Sequence, residues 1–173
     1  MKKIILLVML SLIITGCKQK EEPKPQFQAP PGQMHMQNDL RLAQEAVKND
    51  PKNVNAWIQL GNMSMDMARY NEAIDAYQKA LEIDPRNVDV RVDMGTCYRN
   101  IHKPDMAITA YKKALEINPT HAMGHMNMAI VLAYDLNDKA QAIKEFEQYL
   151  KVAPNAPNAR EVRQEIEKLK SAK

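Results

Sequence analysis

Pro51, Pro85, Pro119 and Pro154 return at spacings of 34, 34 and 35 residues, and each closes an apolar run of helical periodicity. Proline ends a helix because it lacks the amide proton and crowds the preceding turn. A chain punctuated at this interval is predicted to fold as stacked copies of one helical hairpin, since a unit so short cannot bury its apolar face alone. The fold class that follows is all-α, a helix-turn-helix solenoid.

The repeating unit starts at Val54 and again at Val88. In the first copy Trp57, Leu60 and Gly61 share one helix, and Tyr70, Ala73, Tyr77, Ala80 and Pro85 follow. The second copy offers Met94, Gly95, Tyr98, Ala107, Tyr111, Ala114 and Pro119. These residues at these offsets resemble the tetratricopeptide repeat. Physically, antiparallel helices pack closely only where small residues sit at the crossing and large ones fill the space beside it. Gly61, Gly95, Ala73 and Ala107 are the small positions, and Tyr77, Tyr111 and Phe146 the filling ones.

About three and a half repeats and a C-terminal capping helix are expected. Residues 38–53 read as an N-terminal half repeat, 54–87 as the first repeat, 88–121 as the second and 122–155 as the third. The third carries one extra residue, placed in the turn around Leu136 to Lys139, and Tyr149 where the others have Ala80 and Ala114. Residues 156–173 form the cap, with Val162, Ile166 and Leu169 on one apolar stripe. Polar-backed ends of this kind keep a solenoid soluble.

Lys2 and Lys3 precede an uncharged apolar run, Ile4 to Ile14, of 11 residues. That is roughly half of what a helix needs to span a bilayer, and it reads as a secretory signal. It ends in Ile14-Thr15-Gly16-Cys17, which resembles the lipobox of bacterial lipoproteins. The resemblance implies removal of residues 1–16, acylation of Cys17, and a lipid-anchored protein in a bacterial envelope facing the periplasm. Lys18 is not the aspartate that retains enteric lipoproteins in the inner membrane, so the outer membrane is favoured. Residues 17–37, with Pro23, Pro25, Pro30 and Pro31, are expected to be an extended tether of roughly 60 Å at about 3.1 Å per residue.

Composition narrows the function. From 24 basic and 21 acidic side chains, loss of Lys2 and Lys3 leaves 22 against 21, which points to no nucleic-acid partner. No Ser/His/Asp or Cys/His arrangement and no glycine-rich phosphate loop is present, so neither an enzyme, a cofactor nor a small-molecule substrate is expected. Twelve methionines and four histidines leave a soft-metal alternative, a Cu(I) module using His121, Met123 and His125. Cys97, with Cys17 committed to lipid, is expected to be a buried structural thiol.

Tetratricopeptide resemblance implies that the first helix of each repeat lines a concave groove for a protein segment. The stripe carried onto this sequence is Asn55, Ile58, Asn62 and Met65, then Asp89, Val92, Thr96 and Arg99, then Met123, Met126, Ile130 and Ala133. Asp66, Asn100 and Tyr134 extend it, making the groove polar at the front and apolar at the back. Ile58 and Met123 stand where a carboxylate clamp for chaperone tails requires basic residues, so that partner is disfavoured. Relatives by resemblance include envelope-complex adaptors and the tetratricopeptide proteins of cytochrome c maturation. Anchoring rests on the Cys17 sulfur, because no other apolar stretch of the mature chain is long enough to hold a bilayer. Cys17→Ser should release or misprocess the protein, and a mature-length variant that still fractionates with membranes would refute the anchor.

Overall fold

The structure, a computed structural model, describes residues 31–171; the signal, Cys17 and most of the tether lie outside them. The described residues form eight α-helices: α1 Pro31–Asn49, α2 Val54–Asp66, α3 Tyr70–Ile83, α4 Val88–Asn100, α5 Pro104–Ile117, α6 Ala122–Ile130, α7 Lys139–Val152 and α8 Ala159–Ser171. A π turn, Val131–Asp135, continues α6. Helices pack in chain order as antiparallel pairs, α2 with α3, α4 with α5 and α6 with α7, and no described strand interrupts them. No described helix is long and apolar enough to cross a membrane.

Each hairpin closes on an aromatic ring laid against a small residue. A Cβ added to Gly61 or Gly95 would overlap the Tyr77 or Tyr111 ring, and in the third hairpin Ala129 and Phe146 stand at the matching places. Tyr77, Tyr111 and Phe146 are all fully buried, as are Ala73, Ala107 and Ala142.

The linkers repeat the same chemistry with changing residues. Asp50, Asp84 and Asn118 each accept the amide two residues on, through a side-chain oxygen. Asn53, Asn87 and His121 cap the next helix, taking the amides of Ala56, Val90 and Gly124 at 3.1, 3.1 and 3.0 Å. The carbonyl of each linker proline then receives one side-chain donor: Trp57 Nε1 on Pro51, Arg91 Nη2 on Pro85, His125 Nε2 on Pro119. An indole, a guanidinium and an imidazole therefore do one job.

Two expectations need correction. The first helix begins at Pro31 instead of Asn38, so the end of the expected extended tether is helical. Proline suits a first helical turn, where its missing amide proton would have no partner, and Leu40, Ala43 and Val47 bury one face of α1. The extra residue of the third repeat lies within the last turn of the helix, ahead of the connecting turn. Met67 and Ile101 donate to the carbonyls of Met63 and Cys97, four residues back, whereas Leu136 donates to Val131, five back. All three turns have a left-handed residue at the middle: Ala68, His102 and Asn137 at φ 56°, 57° and 54°.

The first two turns end their helices in the same way, Ala68 donating to Met65 and Arg69 to Ser64, then His102 to Arg99 and Lys103 to Tyr98, each closing a Schellman motif, while in the third Asp138 donates to Leu132, six residues back. Glycine suits the left-handed residue best and asparagine tolerates it, while alanine is strained there by about 1–2 kcal/mol. Ala68→Gly should raise the unfolding free energy by about 0.5–1 kcal/mol, more than Asn137→Gly does. Ala107→Leu should lower it by about 1–3 kcal/mol by forcing α4 and α5 apart. Urea denaturation followed by circular dichroism checks all three, and a stabilised Ala107→Leu would refute the packing.

Candidate partner groove

The first helices of the pairs, α2, α4 and α6, place the stripe side by side. Asn55, Asn62, Asp66, Asp89 and Asn100 are exposed, and Ile58, Met65, Thr96, Arg99, Met126 and Ile130 half-buried. Met123 is 51% exposed and Tyr134 55%, so both large apolar side chains meet solvent.

Val92 is only 4% exposed and does not line the groove. It lies on the middle helix, hemmed in on both sides, and its short branched side chain stays in the core where Ile58 and Met126 reach further. Ala133 is buried as well. The inserted residue turns the helix so that Tyr134 takes the place that Met65 and Arg99 hold in the earlier repeats.

The middle of each stripe helix also holds the repeat together. Asn62 Oδ1 accepts the Tyr77 hydroxyl at 2.8 Å, and the Thr96 hydroxyl lies 3.3 Å from that of Tyr111. In the third repeat the tyrosine is Phe146 and the partner Ile130, so both lose their polar atoms together and the groove turns apolar. That exchange produces a cleft of about 490 Å³ with Met126, Ile130, Phe146 and Val162 as its floor. Arg99, Tyr134, Asn158, Glu161 and Glu165 stand around its mouth.

Three of those mouth residues belong to α8 or the segment before it, and sequence reasoning assigned them only to a solubilising cap. The signal was present. Counting 35 from the third-repeat stripe gives Asn158, Glu161 and Glu165, and Lys168 continues the same spacing. Lys168 Nζ lies 6.0 Å from the Tyr134 ring centroid, over its face. Thus α8 is placed as the first helix of a fourth, unfinished repeat and supplies the far wall of the cleft.

Charge in the groove is mostly negative. Arg99 is committed to Asp135 at 2.5 Å, and Asp89 takes His121 Nε2 at 2.9 Å. Burial, reinforced by Asp89, pushes the Asp93 carboxyl above its usual range, with His121 partly opposing. The Tyr134 hydroxyl is pushed up to about 12, first by its hydrogen bond to Glu165.

Histidines proposed for metal are occupied by the fold. His121 Nδ1 caps α6 and its Nε2 meets Asp89, while His125 Nδ1 meets Glu145 at 2.7 Å and Nε2 meets Pro119. Met123 points to solvent between them in sequence, and among the described residues no cluster of His, Cys, Asp and Glu suits a metal ion.

Cys97 is fully buried, and burial followed by Asp93 pushes its thiol from 9.0 up to about 12. The thiolate is the reactive form, so a thiol held protonated is inert. Iodoacetamide at pH 8.5 should leave Cys97 unmodified in the folded protein and label it promptly in urea. The raised value also fixes a sign: the stability linked to this proton is complete below pH 9.0 and lost as pH climbs towards 12. Rapid labelling of the folded protein would place Cys97 outside the core.

Among curated protein sequences none matches the chain significantly. Among solved structures, a crystal structure of MamA is 22% identical with a TM-score of 0.69, covering 80% of this chain and 86% of that one. The first TPR of Spaghetti (RPAP3) bound to the HSP90 peptide SRMEEVD is 23% identical with a TM-score of 0.63, covering 70% and 93%. The TPR2B-domain:pHsp70 complex of yeast Sti1 is 17% identical with a TM-score of 0.63, covering 68% and 95%. These likenesses show the tetratricopeptide solenoid fold. The family model described as the cytochrome c-type biogenesis protein H TPR domain matches residues 28–160, most of the chain, and the chain belongs to that family.

Proposed function

We propose that this protein is a scaffold that captures a segment of another protein in its concave groove. Its setting in this reading is the assembly of an envelope complex, with cytochrome c maturation the pathway that the family suggests. Acylated Cys17 would hold it to a bilayer, on the periplasmic face and favourably at the outer membrane. It would act by holding a segment in place, with no catalytic step of its own.

One observation carries the reading: a stripe on three stacked helices, exposed at Asn55, Asn62, Asp66, Asp89, Asn100, Met123 and Tyr134, that ends in an apolar cleft. Met123 and Tyr134 are large apolar side chains left facing solvent at the back of that stripe. Exposed apolar surface of this kind marks interaction sites. Solved neighbours, one bound to an HSP90 peptide and the other in complex with pHsp70, support the mode of binding in general terms. The Cu(I) alternative is weakened because His121 and His125 already spend both ring nitrogens on the protein.

Interface energy concentrates in a few desolvated anchors, where truncation costs about 2 kcal/mol or more, and polar rim contacts cost less. Met126→Ala and Tyr134→Ala should weaken capture of the native partner from envelope extracts by that order while leaving the melting curve of the domain in place. Asn62→Ala should weaken it modestly. Lys79 and Lys113, exposed on the second helices, serve as controls whose removal should be silent. Binding that survives the groove variants and collapses with the lysine variants would move the partner to the outer face.

A further inference from the structure

The cleft between the third repeat and α8 is apolar below and anionic above. Its two cations are already spent: Arg99 pairs with Asp135, and Lys168 lies 3.3 Å from Glu165. Glu165 is spent as well, on Lys168 and on the Tyr134 hydroxyl. Glu161 is different. It is exposed at the mouth of the cleft, and its side chain makes no ion pair or hydrogen bond among the described residues. Further along the groove the Asp93 carboxyl is half-buried and faces Asp89 without a lysine or arginine against it.

We propose that the segment held in the groove seats a leucine, methionine or phenylalanine side chain in this cleft and presents a lysine or arginine beside it to Glu161. The proposal rests on the groove being the binding face and adds the chemistry of its occupant, a basic apolar segment of another protein. Complementarity argues for it. An acidic neighbour to the apolar anchor would face Glu161 with a second carboxylate, and a basic one would meet a carboxylate that no side chain among the described residues pairs with. The floor supplies the apolar half of the match through Met126, Ile130 and Val162.

The test uses the intact chain and short fluorescent peptides in which leucine or phenylalanine is flanked by lysine or by glutamate in an otherwise neutral sequence. Fluorescence anisotropy should give the lysine-flanked peptides about tenfold tighter binding at low salt, with the preference shrinking as salt rises. Glu161→Gln should level the preference and Glu161→Lys invert it, both with unchanged circular dichroism. Met126→Ala and Tyr134→Ala should weaken both peptide classes alike. Equal binding of the two classes that still depends on Met126 and Tyr134 would overturn the charge rule and leave the groove standing. Binding indifferent to those two residues would sink the groove as well, and no binding of any peptide would overturn the proposal outright. Two further outcomes also overturn it. A peptide of residues 18–30 of this chain, which carries Phe27, could compete best, or the chain could self-associate in a manner abolished by Glu161→Lys; either would make the occupant internal to this protein.

Discussion

Everything in this solenoid depends on how closely two helices approach when a ring lies flat against a backbone. Gly61 and Gly95 leave room for Tyr77 and Tyr111, and any side chain there would collide with the ring. The tyrosine hydroxyl then reaches through the hairpin to the concave side, where Asn62 and Thr96 receive it. Core packing and groove chemistry are therefore one structure seen from two sides. When the hydroxyl is absent, as at Phe146, the polar groove residue has nothing to answer and Ile130 takes its place.

Much of the architecture was legible. Proline spacing and the small-residue positions lead directly to the stacked hairpins, because those features report steric needs that only one packing satisfies. The groove was partly legible, since a spacing of three, four and three residues defines a helix face without further information. Val92 shows the limit. Periodicity states which way a residue points, but depth depends on the length of its side chain and on neighbours at both flanks. The role of α8 is hidden for another reason: its apolar stripe suffices to explain the helix as a cap, while the adjoining stripe of Asn158, Glu161, Glu165 and Lys168 shows its role only when the repeat is continued past its third copy.

Equivalent positions also show how loosely chemistry is tied to residue type. A linker carbonyl accepts an indole, a guanidinium or an imidazole, provided that a donor hydrogen arrives from the same direction. In the third repeat this substitution reaches further. His125 turns its other nitrogen to Glu145, at the place where the first two repeats have Ala76 and Ala110. In the first two repeats those alanines line clefts on the outer face, between Trp57 and Lys79 and between Met94 and Lys113, whereas in the third a polar pair stands at the same place.

The π turn at Val131–Asp135 makes the array locally aperiodic without disturbing its stacking. An ordinary insertion in a loop would lengthen the connection and leave every helix surface unchanged. An insertion inside a helix acts as a phase shift: residues before it keep their bearing, residues after it rotate by about 100° relative to the unbroken count. Here the rotation withdraws the methyl of Ala133 and brings out the phenol of Tyr134. Three nearly identical modules thus acquire a distinguishable end, and a ligand sliding along the array would meet a single position where its register is set.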